Sequence, residues 1–389
     1  MLRHSWMIGA ALLVLVSPVR ADDFRFKEKK FGPAELRYFG HVPVLFVEGT
    51  PEQIGEQTGA LVGDAAPGLS AYFKKLLQAN KLDKALPALI FTSSNLLKRF
   101  PADYRNELEA MSANYGSYRE LIVVANTLWD MGKLGGCSAY IIEPAHSKNG
   151  EPIFGRNFDF PSLGTLDQYC MVVVCKPKGK NAFASVNLPG LVGVCSGMND
   201  KGLAVAVLDI PDTADGSPRL NLSAVPMILS FRRILEECST VEEAEAILRG
   251  TSRTTLLSLA VCDRTHAAIF ELTPKNVHRR EPEDAVCIST NHFRTSGLAT
   301  NMACWRYALM EASKTAPKIG LEDVIQMMDR VNQGELTIQT MVFEPRAMRT
   351  HVGVGKGPVS SRPLQPLDLT ALFGSRSNLK GAGEGSNNP

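Results

Sequence analysis

Two short stretches of the chain combine residue types that can do covalent chemistry. Gly135-Gly136-Cys137-Ser138 puts a thiol directly after two glycines, and Gly155-Arg156-Asn157-Phe158-Asp159 follows further along. A cysteine by itself is more often a small buried hydrophobe than a nucleophile. The glycines change that reading, because glycine tolerates strained backbone and leaves its carbonyl unshielded, so the next residue's thiol can reach it. Attack of Cys137 on the Gly136 carbonyl would shift the acyl group to sulfur, and water would then release a chain beginning at Cys137. The new α-amine, with a pKa near ~8, can act as general base to its own thiol. Such a site needs no histidine. It does need a cation beside the thiolate and a carboxylate to hold the ammonium, and Arg156 and Asp159 are candidates for the two. The plainer alternative for that pair is a surface ion pair on a hairpin.

Positioning these groups requires a scaffold, and the chain changes texture at Gly136. From about residue 50 to 130 the pattern is helical. Thr50-Pro51-Glu52-Gln53 offers an N-cap, a first-turn proline and a glutamine able to close a capping box. A further helix is predicted from Pro101 to about Ala113, with Tyr104, Leu108 and Met111 on one face. After Gly136 the sequence predicts strands at 138–142, 170–176, 182–187, 191–196, 203–208, 256–262, 267–272, 285–289 and 338–343. Helices are predicted at 223–237, from Ser239 to Gly250, and from about Leu321 to Val331. Adjacent strands separated by blocks of helices predict an α+β layered protein, not alternating βαβ units.

The run from Gly136 to Asp159 resembles the N-terminal-nucleophile (Ntn) cysteine hydrolases of the penicillin acyltransferase group, related to bile salt hydrolase, penicillin V acylase and acid ceramidase. The match is best with the isopenicillin-N acyltransferase-like autoproteolytic subgroup, and Gly49 to Gly59 resembles the entry to its helical pro-segment. The resemblance implies a four-layer αββα sandwich with an N-terminal helical pro-segment. It implies Cys137 as nucleophile, Arg156 beside the thiol and Asp159 on the amine. Gly197-Met198-Asn199-Asp200-Lys201-Gly202-Leu203 resembles the family's strand-turn-strand signature and leads to Asp209. Asp209 stands where the family places a backbone N–H donor to the oxyanion hole; bile salt hydrolases have Asn there. Asn291, in Ser289-Thr290-Asn291-His292, resembles the side-chain oxyanion donor, a kind of group worth roughly 3 kcal/mol. Arg306 resembles the late arginine motif without its usual preceding serine.

The resulting division is 1–21 signal peptide, 22–136 helical pro-segment (the alpha chain after the cut), 137–373 catalytic domain (the beta chain) and 374–389 disordered tail. The signal peptide is read from a basic start, an apolar run from Trp6 to Val16 and a small residue at Ala21. That run falls short of the ~20 residues a membrane span needs, so the protein is expected to be secreted or periplasmic without a membrane anchor. Losing Arg3 and Arg20 with this segment leaves basic and acidic residues balanced, which argues against nucleic acid as a partner. The eight cysteines form no Cys-x-x-Cys pair and no zinc spacing with His, so neither metal nor other cofactor is expected. With none between 22 and 136, a severed pro-segment would have to be retained by packing. The expected substrate is a small N-acyl amide with a linear C–N bond, hydrolysed or used for acyl transfer. The alternatives are an unprocessed Cys137/His292 thiol hydrolase and a silent secreted binding protein on the same fold.

Overall fold

The computed structural model describes residues 24–113 and 115–374. The expected signal peptide, and all but the first residue of the expected disordered tail, lie outside the described residues. Among the described residues, no helix is long and apolar enough to cross a membrane.

Chain order begins with three strands, β1 (Lys29–Phe31), β2 (Ala34–Phe39) and β3 (Val42–Gly49). Six helices follow: α1 (Pro51–Val62), α2 (Ala66–Ala79), α3 (Leu86–Leu97), α4 (Ala102–Ser112), α5 (Arg119–Ala125) and α6 (Leu128–Met131). The predicted capping box closes α1: Thr50 Oγ1 accepts from the Gln53 N–H, and Gln53 Oε1 accepts from the Thr50 N–H.

Beyond the scissile candidate come β4 (Gly136–Ile142), β5 (Ile153–Asp159), β6 (Met171–Pro177), β7 (Phe183–Asn187), β8 (Ser196–Asn199) and β9 (Ala204–Asp209). Helices α7 (Met227–Glu237) and α8 (Val241–Gly250) precede β10 (Leu257–Cys262), β11 (Ala267–Leu272), β12 (Val277–Arg280) and β13 (Val286–Ser289). Then α9 (Trp305–Ala312) and α10 (Leu321–Arg330) lead to β14 (Thr337–Glu344), β15 (Arg349–Val354) and β16 (Gln365–Asp368). Two expected elements differ. The strand expected at 191–196 is irregular through Cys195, with β8 lying at 196–199 instead, and the helix expected from Ser223 starts at Met227, directly after Pro226.

The strands form two sheets. One has ten strands in the order β1-β2-β3-β6-β7-β8-β9-β10-β11-β12, and the other six in the order β13-β4-β5-β14-β15-β16. Side-chain alternation along β4 stacks them. Cys137, Ala139 and Ile141 join the core shared with Val205 and Val207 of the larger sheet. Tyr140 and Ile142 point the other way, into a core with Met310 of α9 and Val324 and Met328 of α10. Helices α1, α7 and α8 pack against the outer face of the larger sheet, so the architecture is α+β with two sheets between helix layers.

Residues 24–136, expected as a helical pro-segment, carry strands before the helices. Strands β1, β2 and β3 extend the large sheet, with β3 running parallel to β6 from Val44↔Val172 to Gly49↔Pro177. The alternating run Glu35-Leu36-Arg37-Tyr38 and the apolar Val42–Val47 stretch account for these strands.

Candidate active site

Cys137 is the second residue of β4 and is fully buried in the inter-sheet core. Register with β5 does the first part of the assembly. Gly136 lies opposite Asp159, Cys137 opposite Phe158, and Ala139 opposite Arg156. On the other side β13 pairs with β4 at Ser289↔Ala139, so Asn291, two residues past the strand end, arrives beside Cys137. Asn291 Oδ1 accepts from the Cys137 backbone N–H at 2.9 Å.

Arg306, on the first turn of α9, reaches the same point. Its Nη1 donates to the Cys137 carbonyl at 2.5 Å and to Ser138 Oγ at 3.0 Å, and its Nη2 donates to Asn291 Oδ1 at 2.9 Å. The same guanidinium lies 3.7 Å from Asp159 Oδ2. Asp159 itself is completely buried and clamped from two sides. Thr337 Oγ1 donates to Oδ1 at 2.5 Å and Gln333 Nε2 to Oδ2 at 2.6 Å. A β-bulge between Thr337 and Gln339 of β14 puts Thr337 opposite Asp159.

Arg156 is buried with no exposed surface. Its Nε donates to Ser196 Oγ at 3.2 Å and its Nη1 to the Asn157 carbonyl at 2.7 Å, while the Phe158 ring lies 5.5 Å from its Cζ. Burial pushes the Cys137 thiol above its ordinary range, and the Arg156 charge is the strongest influence in the opposite direction. Asp209 ends β9. Its carboxyl is pushed up to about 6, mainly by burial, although Lys133 opposes the shift.

These positions refine several expectations. Cys137, Arg156, Asp159, Asn291 and Arg306 come together, although they are spread over β4, β5, the loop after β13 and α9. Arg306, the least specific of the sequence candidates, is at the centre and touches three of the others. Asn291 Nδ2 donates to the Asp209 carbonyl at 2.8 Å, so this donor is engaged while Oδ1 holds the Cys137 nitrogen. His292 Nδ1 is buried without a hydrogen-bond partner, and burial lowers the ring's pKa. Sequence reading missed Thr337, Gln333, Ser196 and Lys133, none of which belongs to a motif. All eight cysteines are free thiols. No group of three or more His, Cys, Asp or Glu side chains among the described residues could hold a metal ion.

Residues 145–356 match the acyl-coenzyme A:6-aminopenicillanic acid acyl-transferase family. The chain belongs to that family. The matched region contains Arg156, Asp159, Asp209, Asn291 and Arg306 and begins just after Cys137. A curated relative, an uncharacterized protein of Archaeoglobus fulgidus, is 21% identical over 238 residues. That alignment covers 54% of this chain and 39% of the relative, so the chain spans about two fifths of the relative's length.

Similar solved structures include an N-acylethanolamine-hydrolyzing acid amidase ortholog of Caenorhabditis elegans. It has a TM-score of 0.43 and 16% identity, over 54% of this chain and 93% of that one. A mutant conjugated bile acid hydrolase of Clostridium perfringens gives 0.44 and 14%, over 60% and 93%. Penicillin V acylase of Agrobacterium tumefaciens gives 0.36 and 14%, over 60% and 86%.

Proposed function

We propose that the protein is a secreted Ntn cysteine hydrolase that cuts itself between Gly136 and Cys137 and then cleaves, or transfers the acyl group of, linear amides. The observation that carries this reading is the seat of the Cys137 nitrogen. That nitrogen is held by Asn291 Oδ1, next to a clamped Asp159 whose strand partner is Gly136. A peptide N–H needs no such carboxylate beside it. An α-ammonium does.

In the first stage Cys137 Sγ bonds to the Gly136 carbonyl carbon, the C–N bond breaks, and the thiol proton passes to the departing nitrogen. Water then hydrolyses the thioester, giving a Gly136 carboxylate and a free thiol. In the second stage the Cys137 amine takes the thiol proton as Sγ attacks the substrate carbonyl. Arg156 favours the thiolate, Asp159 orients the amine, and Arg306 fixes Asn291. The Asn291 amide, released from the Asp209 carbonyl, and the Asp209 N–H stabilise the oxyanion. The amine leaves, and water or a second acceptor takes the acyl group.

The acyl part is apolar on this reading. A cavity of ≈ 110 Å³ is lined by Phe158, the strand partner of Cys137, by Phe160, and by Tyr72, Phe73, Leu121 and Trp129 of the pro-segment. A charged acyl group would lose its hydration there with no partner. The pro-segment would therefore stay bound after the cut, as a wall of the pocket.

Intact-mass and N-terminal analysis of the purified protein tests the first stage. Two fragments meeting at Gly136/Cys137 are expected, with Cys137→Ala leaving one chain. Active enzyme with Cys137 still internal would overturn it. A panel of N-acyl amides of increasing chain length tests the second stage, with turnover expected for neutral apolar acyl groups.

A further inference from the structure

The segment 132–135 links α6 to the scissile bond without regular structure, yet it carries a lysine whose side chain is only 18% exposed. Lys133 Nζ donates to the Leu256 carbonyl at 2.7 Å and lies 3.5 Å from Asp209 Oδ1. Leu256 and Asp209 stand where β10 and β9 of the large sheet end, across the gap from β4 of the small one. The lysine therefore ties the chain just before the scissile bond to the opposite sheet.

Asp209 holds both sides of that bond. Its carboxylate meets Lys133 on the upstream side. Its carbonyl accepts from Asn291, whose Oδ1 receives the Cys137 N–H on the downstream side. The second carboxylate oxygen, buried and without a well-formed hydrogen bond, faces Gly135, where an added Cβ would come within 3.6 Å. Asp130 adds a second buried carboxyl to the cluster, bonded to Thr254 Oγ1 and the Met227 N–H, with its other oxygen unpartnered.

Burying two carboxyls and most of a lysine side chain costs more than apolar side chains of the same size would. Stability alone does not explain the cluster, whereas its place at the scissile bond does.

We propose that Lys133 is a positioning residue for self-cleavage: its ammonium, seated between the Leu256 carbonyl and Asp209, fixes the Gly135-Gly136 peptide within reach of the Cys137 thiol. The proposal rests on the self-cleavage reading above. Lys133 touches neither reacting atom and acts through the backbone it anchors. A lost anchor leaves the thiol and carbonyl intact but lowers the fraction of time they meet, and misplacements of about 1 Å cost roughly a hundredfold in rate.

The test is a cell-free translation pulse and chase of the full chain, wild type against Lys133→Met and Lys133→Arg, with cleavage followed by intact mass. Wild type is expected to cut, Lys133→Met to cut about 10- to 100-fold more slowly, and Lys133→Arg to recover most of the rate because it restores the cation. Turnover per Cys137 site, counted with a thiol-reactive acylating probe, is expected to match wild type in the fraction of Lys133→Met already cut. Cleavage of Lys133→Met at the wild-type rate would overturn the proposal, as would an equal fall in cleavage and in turnover per site, the mark of general damage. If Lys133→Met does not fold, Lys133→Gln is read in its place. A wild-type chain that never cuts would instead defeat the self-cleavage reading itself.

Discussion

On the proposed cut at Gly136/Cys137, removing the Glu107 carboxylate should loosen the part before the cut from the part after it. The two parts meet in a buried charged network. Arg232 of α7 makes a bidentate pair with Glu107 of α4, both bonds at 2.7 Å, and a third 2.7 Å bond with Glu236. Tyr104, also on α4, donates to Glu236 at 2.8 Å, and Lys180 donates to the same oxygen at 2.8 Å. Burial works against the Arg232 charge, but the two carboxylates outweigh it and hold its pKa well above the ordinary value.

Glu107→Ala leaves Arg232 buried with one carboxylate and the Val192 carbonyl. Breaking a buried pair from one side costs roughly 3–5 kcal/mol, and the remaining partners point to about 3, a factor of roughly a hundred in the equilibrium between bound and free fragments. The assay is size exclusion of the cut protein across a urea series. With slopes of roughly 1–3 kcal/mol per molar, the urea concentration at which the fragments part should fall by about 1 M or more. Unchanged separation in Glu107→Ala would refute the role given to this network. Separation of the wild-type fragments without denaturant would refute retention of the pro-segment altogether, despite the β3–β6 pairing.

Further outcomes are expected. Gly136→Ala should slow self-cleavage at least tenfold by intact mass, because a Cβ there would stand 2.0 Å from Gln333 Nε2 and push it off Asp159. Arg156→Met should raise the pH midpoint of Cys137 alkylation in the cut enzyme by about 1–3 units, since the charge that most favours the thiolate is lost; an unchanged midpoint would remove Arg156 from that role. Asp209 is held at about 6 by burial, above its ordinary 3.8, so the folded chain binds this proton more tightly than the unfolded one. The stabilisation it brings is present at low pH and lost as pH rises from about 4 through 6, by about 3 kcal/mol. Asp209→Asn should accordingly flatten the stability profile in that window, measured by urea unfolding. Asn291→Leu, which removes the hydrogen bonds to the Cys137 nitrogen, the Asp209 carbonyl and Arg306, should lower kcat of any cut enzyme by about 10²–10³.

Much of the layered fold was readable because strand and helix periodicities are local. The strands around Cys137, the capping box at Thr50 and the helices of the catalytic part follow from patterns a few residues long. The three strands before residue 50 were not legible at the same level. Their place in the sheet depends on β6, more than a hundred residues away in sequence and invisible to local pattern.

The site divides in the same way. Cys137, Arg156 and Asp159 stood out as candidates by residue type and spacing, and the hairpin register sets Arg156 and Asp159 within two residues of Phe158, the strand partner of Cys137. Asn291 and Arg306 were legible only through family resemblance. What joins them, the meeting of the β13 end, α9 and β4, is a property of packing. Tertiary structure alone decided that Gln333 and Thr337 clamp Asp159, that Arg306 grips the Cys137 carbonyl, and that Lys133 reaches Asp209 and the Leu256 carbonyl. A sequence specifies which groups can react. Which of them meet in a dry interior, where charge interactions are strong enough to shift a thiol or seat an ammonium, is set by contacts between residues distant in the chain.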